Sequence, residues 1–191
     1  MACAAGQAGA LADAARRYTL HGDTMRDPEQ VRATFDEVVS QALARWADQP
    51  GALLPILHQL QDTIGYIPPQ VVPRIAGGLN LSHAEVHGVI SYYHHFRTEA
   101  PAPHVVQVCR AESCQAMGAE SLYRHALQRT GCAGDAGHRC RSADGRFDVE
   151  PVYCLGLCAA SPAMLVDGTL HARMSPQRFD SLVDSLPEVT R

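Results

Sequence analysis

Seven cysteines stand in this chain of 191 residues, and four of them form two short clips in its second half. Cys109 and Cys114 enclose four residues, Cys154 and Cys158 enclose three, and 39 residues separate the clips. Each clip follows a short run suited to a strand: Val105-Val106-Gln107-Val108 ends at Cys109, and Phe147 to Tyr153 delivers Cys154. A fold that sets these strands side by side would converge four thiolates on one point, which suits a metal cofactor. A [2Fe-2S] cluster takes four cysteine thiolates and tolerates varied spacings. Zinc also accepts four thiolates, with clips of about two to four intervening residues, so spacing alone leaves both open. Buried thiolate charge needs compensating dipoles. The loop from Arg110 to Ser113, leading into a helix start, and the backbone of Leu155-Gly156-Leu157 can present N–H groups. Gly156 permits a backbone conformation that a larger residue resists.

Composition narrows the partners. Sixteen Lys and Arg against 20 Asp and Glu leave a formal charge of −4, so nucleic acid is not an expected ligand. Hydrophobic content of 46% and charged content of 19% suit a globular fold, and no apolar run approaches the roughly 18 residues expected of membrane insertion. The Ala-rich N-terminus lacks the charged start and apolar core of a secretory signal, and Arg16-Arg17 is followed by a polar stretch. The expectation is a cytoplasmic protein, where clustered cysteines are more often metal ligands or redox thiols than structural disulfides.

The organisation expected is a flexible extension over 1–26, a helical bundle over 27–96, a linker over 97–103 and an α/β domain over 104–191. Asp27, Pro28 and Gln30 mark a helix start, followed by Val31, Phe35, Val38, Val39, Leu43 and Trp46 at helical spacing. Leu53, Leu54, Leu57, Leu60 and Ile64 form a second helix, ended by Gly65. Pro68 to Ile75 reads as a short helix stopped by Gly77-Gly78, and Ser82 with Glu85 forms a capping box before a fourth. Pro101 and Pro103 resist regular structure. Beyond them the expected order is strand, a helix over 115–128, a loop over 131–145, a strand, a hairpin turning at Asp167-Gly168, and a last helix from Ser175-Pro176.

From about Ala52 to Leu186 the chain resembles the thioredoxin-like [2Fe-2S] subunits of NADH-linked dehydrogenases, a family that includes the smaller flavin-module subunit of respiratory complex I. Leu53 to His58, Gly65-Tyr66-Ile67-Pro68 and Ala84 to Val89 carry the likeness in the first half. Cys109-Arg110-Ala111-Glu112-Ser113-Cys114-Gln115 and Tyr153 to Pro162 look closest to the gamma subunits of soluble NAD-dependent formate dehydrogenases. The resemblance implies an α+β fold, an N-terminal helical bundle followed by a thioredoxin-like [2Fe-2S] ferredoxin domain. It implies one cluster on Cys109, Cys114, Cys154 and Cys158, no catalytic residue in this chain, and an electron-transfer role. FMN and NAD would sit on a partner flavoprotein beta subunit and the molybdenum cofactor on an alpha subunit. The absence of a Gly-rich dinucleotide fingerprint agrees with that division. A related hydrogenase or complex I assembly is the alternative, and a zinc-stabilised interaction module is another. A thiol-disulfide oxidoreductase fits less well, because neither clip is Cys-x2-Cys.

Other residues read more plainly. The stretch from Gly131 to Gly145, longer than usual in the family, contains Cys132 and Cys140, read as unligated loop thiols, with His138 between them. Cys3 is expected to be unligated too. His83 and His87 share a helix face but lack a third ligand. Tyr92 to Phe96 reads as a helix end or part of an interface, and Arg110 and Glu112 as solvated charges beside the first clip.

Overall fold

A computed structural model describes residues 28–133 and 139–187, and the chain divides into two compact units between Pro101 and Ala102. The proposed extension, Cys3, the Asp27 cap and His138 lie outside the described residues, as do the side chains of Gln30 and Val31. Among the described residues no helix is long and apolar enough to cross a membrane.

The first unit holds α1 (Pro28–Trp46), α2 (Leu53–Ile64), a 3-10 turn (Pro69–Val71), α3 (Val72–Leu79) and α4 (His83–Tyr92). Val39, Ala42, Ile56, Leu57, Leu60, Ile75 and Val86 form its core, at the spacings that place one helix face inward. Gly65, at φ 92°, ends α2 as a left-handed cap, and Pro55 is held in the first turn. The capping box before α4 forms in both directions: the Ser82 N–H donates to the Glu85 carboxylate (2.8 Å), and the Glu85 N–H donates to the Ser82 hydroxyl (3.2 Å). The buried Gln61 side chain fixes the chain beyond α4, donating to the His95 carbonyl (2.8 Å) and accepting from the Arg97 N–H (2.7 Å).

Gly77 and Gly78 do not stop their helix. α3 runs through both and ends at Asn80, whose φ of 53° closes it. Gly78 is there for proximity: a Cβ on it would stand 2.7 Å from both Leu43 methyl carbons, so α1 approaches over a position with no side chain. Packing outweighs the roughly 1 kcal/mol that a helical glycine costs relative to alanine.

The second unit is built on a five-stranded mixed sheet, in the order β2-β3-β1-β4-β5. The strands are β1 (His104–Cys109), β2 (Cys140–Arg141), β3 (Phe147–Val152), β4 (Met164–Val166) and β5 (Thr169–His171). β1 and β3 pair in parallel, and all other pairings are antiparallel. The hairpin turns through Asp167 (φ 47°) and Gly168 (φ 79°), the doubly positive geometry that an Asp-Gly pair favours. The Asp167 carboxylate also accepts from the Val105 N–H at 2.7 Å and lies 2.8 Å from His104 Nδ1, fastening the turn to β1. The helices are α5 (Glu112–Ala116), α6 (Ala119–Thr130) and α7 (Pro176–Ser185), the last capped by the Ser175 hydroxyl.

Two expectations for this unit are corrected. The single helix over 115–128 is two, starting earlier at Glu112 and broken by Gly118 at φ 91°; Met117, expected on its apolar side, is exposed in the break. The loop over 131–145 contains β2, because Cys140 and Arg141 pair with Val149 and Asp148. The buried Asp148 carboxylate accepts from Arg141 at 2.8 Å and from the Ala102 N–H at 2.8 Å, a charge pairing that apolar periodicity does not reveal.

The neighbouring glycines of α3 give opposite expectations. Gly77→Ala, with open space around the new methyl, should stabilise the protein by about 0.5–1 kcal/mol through helix propensity. Gly78→Val should destabilise it by about 1–3 kcal/mol by overpacking against Leu43. Urea denaturation of both variants checks the pair.

Candidate metal centre

The parallel pairing of β1 with β3 creates the site. Its register sets Cys109 opposite Val152, so both strands finish at the same end of the sheet. The Arg110 N–H donates to the Val152 carbonyl (2.8 Å), and the Cys109 N–H to the Ala163 carbonyl (3.0 Å), which draws in the segment that precedes β4. The first clip then passes into α5, where Cys114 lies on the buried side. The second clip turns back at once: Cys154 has φ 81° and Gly156 φ 77°, before a 3-10 turn over Cys158–Ala160. A non-glycine residue in the left-handed region is costly, and Cys154 adopts it at the first position of the clip.

The four sulfurs come as two unequal pairs. Cys109 and Cys114 are each only 2% exposed, in a small apolar nest with Ala119 and Ala163, against which Val152, Leu155 and Leu157 pack. Cys154 and Cys158 are exposed, with their Sγ atoms 3.9 Å apart. Burial opposes ionisation of Cys109. The N–H groups of Ala111, Leu155 and Cys154 and the Cys114 thiol outweigh it, so Cys109 lies below the usual thiol range. Two of those N–H groups belong to the second clip, so the second clip helps to stabilise negative charge on the first. Burial pushes the Cys114 thiol up, against the Ala163 N–H and the Ser161 hydroxyl, and the Cys154 thiol pushes Cys158 up.

Two serines tie the clips together and were not singled out in the sequence. Ser113 Oγ donates to the Cys158 carbonyl (2.9 Å) and lies 2.7 Å from Ser161 Oγ, which also reaches that carbonyl (2.7 Å). Their only sequence signal is adjacency, one beside Cys114 and the other three residues beyond Cys158. Tyr153 and Met117, at 70% and 62% exposure, are large apolar side chains near the cysteines in sequence and open to solvent.

The remaining candidates lie elsewhere or are engaged otherwise. Arg110 folds back over the Tyr123 ring (4.8 Å) and pairs with Glu120 (2.8 Å), whereas Glu112 is exposed. His83 and His87 are exposed on α4. Cys132 and Cys140 sit in the main core of the second unit, not on an open loop. Among the described residues, no three or more His, Cys, Asp or Glu side chains form a group that could hold a single metal ion.

The chemistry of this donor set suits an anionic metal-sulfur group: four thiols in two pairs, one pair buried, with backbone N–H groups directed at sulfur. Comparison with known proteins agrees. The sequence model of the thioredoxin-like [2Fe-2S] ferredoxin family matches residues 39–187. An NADH-quinone oxidoreductase subunit from Rhizobium meliloti (strain 1021) is 30% identical over 159 residues, covering 83% of this chain and 92% of that protein. Its counterpart from Mycobacterium tuberculosis (strain ATCC 25618 / H37Rv) is 27% identical over 174 residues, covering 91% and 68%. Among solved structures, an NAD+-reducing [NiFe]-hydrogenase in its H2-reduced state aligns at a TM-score of 0.58 and 25% identity, over 71% of this chain and 22% of that one. The chain thus corresponds to about a fifth of the hydrogenase polypeptide that it matches.

Gly156→Ala should cost about 1–2 kcal/mol through its positive φ, since the space around a new Cβ is open and no clash contributes. Denaturation of the purified variant measures this, and an unchanged midpoint would show that the turn relaxes freely.

Proposed function

The chain belongs to the thioredoxin-like [2Fe-2S] ferredoxin family, and from that premise we propose that Cys109, Cys114, Cys154 and Cys158 hold one [2Fe-2S] cluster in an electron-transfer subunit of an NADH-linked oxidoreductase. The observation that carries this reading is the meeting of both clips at the paired ends of β1 and β3, with their thiols in twos. A binuclear cluster binds two protein sulfurs per iron, so paired thiols match it better than the single tetrahedral set that zinc requires.

When bound, the cluster supplies a one-electron carrier. The protein's own part is positional. The apolar nest around Cys109 and Cys114 excludes water from one side, while N–H groups from both clips offset thiolate charge. The exposed Cys154 and Cys158 make the other side the route for exchange with a partner. The Ser113 and Ser161 hydroxyls have two protons for several acceptors. When Ser113 donates to Ser161 Oγ (2.7 Å) instead of to the Cys158 carbonyl, the Ser161 proton is left for the Cys114 sulfur.

The partner in this proposal is a flavoprotein beta subunit with FMN and the NAD site. The likeness to a region within an NAD+-reducing hydrogenase supports an NAD-linked assembly. The finer proposal is the gamma subunit of a cytoplasmic NAD-dependent formate dehydrogenase, with the molybdenum cofactor on an alpha subunit. It is supported by the residues of the two clips, Cys109 to Gln115 and Tyr153 to Pro162. Affinity purification of this chain with its untagged partners tests it: molybdenum in the co-purified material is expected, and nickel would instead assign the chain to a hydrogenase.

Anaerobically purified protein should contain iron and acid-labile sulfide in equal amounts and show a red-brown spectrum with an EPR signal on reduction. Colourless, zinc-containing protein would overturn the cluster. Cys154→Ser should remove most of the visible absorbance, whereas Cys132→Ser should leave it intact. Ser161→Ala should retain the cluster but lower its midpoint potential, because a hydrogen-bond donor to sulfur is lost. Redox titration followed by EPR measures the shift.

A further inference from the structure

Cys132 and Cys140 take no part in the centre described above. Both are buried, 7% exposed, in the core formed with Tyr123, Leu127, Phe147 and Val149. They approach each other closely: Cys132 Sγ lies 3.4 Å from the Cys140 carbonyl. A disulfide needs about 4–7 Å between Cα atoms, and a sulfur in contact with the other cysteine's own backbone brings the two side chains within reach of each other. Both backbones are anchored. The Cys132 N–H donates to the Leu127 carbonyl (2.9 Å) at the end of α6, and Cys140 pairs with Val149 in the sheet.

We propose that Cys132 and Cys140 form a reversible disulfide, by exchange with a low-molecular-weight disulfide, that staples the end of α6 to the edge strand β2. In the first exchange one protein sulfur bonds to half of the reagent, and the other half leaves as a thiol. The second protein thiol then displaces the bound half. Two protein S–H bonds and the reagent's S–S bond are lost; one protein S–S bond and two reagent S–H bonds form. The cysteines are oxidised by two electrons and the reagent is reduced by two.

Burial pushes the Cys132 thiol up to about 11, which makes it a poor entering nucleophile. Cys140, on the edge strand, is the cysteine placed to meet the reagent first, and Cys132 completes the bridge. The low exposure of both sulfurs makes the exchange slow, so the staple responds to a sustained oxidising condition instead of a brief one. Its position gives it a structural consequence: β2 pairs with β3, the strand that leads into Cys154. This inference goes beyond the proposed electron-transfer role and does not rest on it.

Tryptic mapping reads the bond directly, because Arg139 lies between the two cysteines. The full-length protein is incubated under native conditions with millimolar oxidised glutathione, alkylated and digested. The peptide spanning 130–139 should appear linked to the dipeptide Cys140-Arg141 in most of the protein, and reduction should separate them. Cys132→Ser should instead leave Cys140 as a mixed disulfide with glutathione. Recovery of both cysteines separately alkylated after prolonged exposure of the wild-type chain would overturn the proposal. So would a stable glutathione adduct on Cys140 with Cys132 still present. Cluster content affects neither readout.

Discussion

The parallel pairing of β1 with β3 is the interaction on which the rest of the second unit depends. Two strands separated by two helices and an edge strand are brought into contact at the centre of the sheet, with Cys109 level with Val152. A slip of one residue would turn each side chain to the opposite face and separate Cys109 from the second clip. The register is held by burial, since Val106, Val108 and Val149 are fully enclosed. Polar pairs along the same strands reinforce it: Gln107 donates to Glu150 at 3.0 Å.

The unequal burial of the two cysteine pairs gives the proposed centre a direction. A cluster enclosed on every side would exchange electrons slowly with another protein, and one exposed on every side would be open to hydrolysis and adventitious oxidants. Here the pair from the first clip is anchored in an apolar nest, and the pair from the second clip faces outward. The N–H groups that oppose the desolvation of Cys109 come from both clips, so the charge of the site and the closing of the turn are one problem with one solution. The left-handed backbone at Cys154 and Gly156 makes that solution possible, by turning amides toward the neighbouring clip.

The first unit supplies contrast. Its helices were readable because their burial follows a 3.6-residue period, and its capping box and Gly65 terminus because their local chemistry is specific. Gly77-Gly78 misled for the same reason: a glycine pair signals a stop only where nothing else wants the space, and Leu43 does. In the second unit Gly118 broke a helix that apolar spacing made continuous. β2 was hidden because its partner, not its two-residue sequence, makes it a strand.

What the amino-acid order by itself determined was local and chemical: two strand-terminated cysteine clips, the Asp-Gly hairpin, the capped helices and the family likeness. These follow from spacing and from side-chain or backbone preferences that act over a few residues. Only the tertiary structure decided which thiols are buried, how they pair, and that Ser113 and Ser161 join the clips. It also moved Cys132 and Cys140 from a supposed loop into a shared core. Such facts depend on contacts between residues many positions apart, and their energies come from desolvation and register, which no short window of sequence contains.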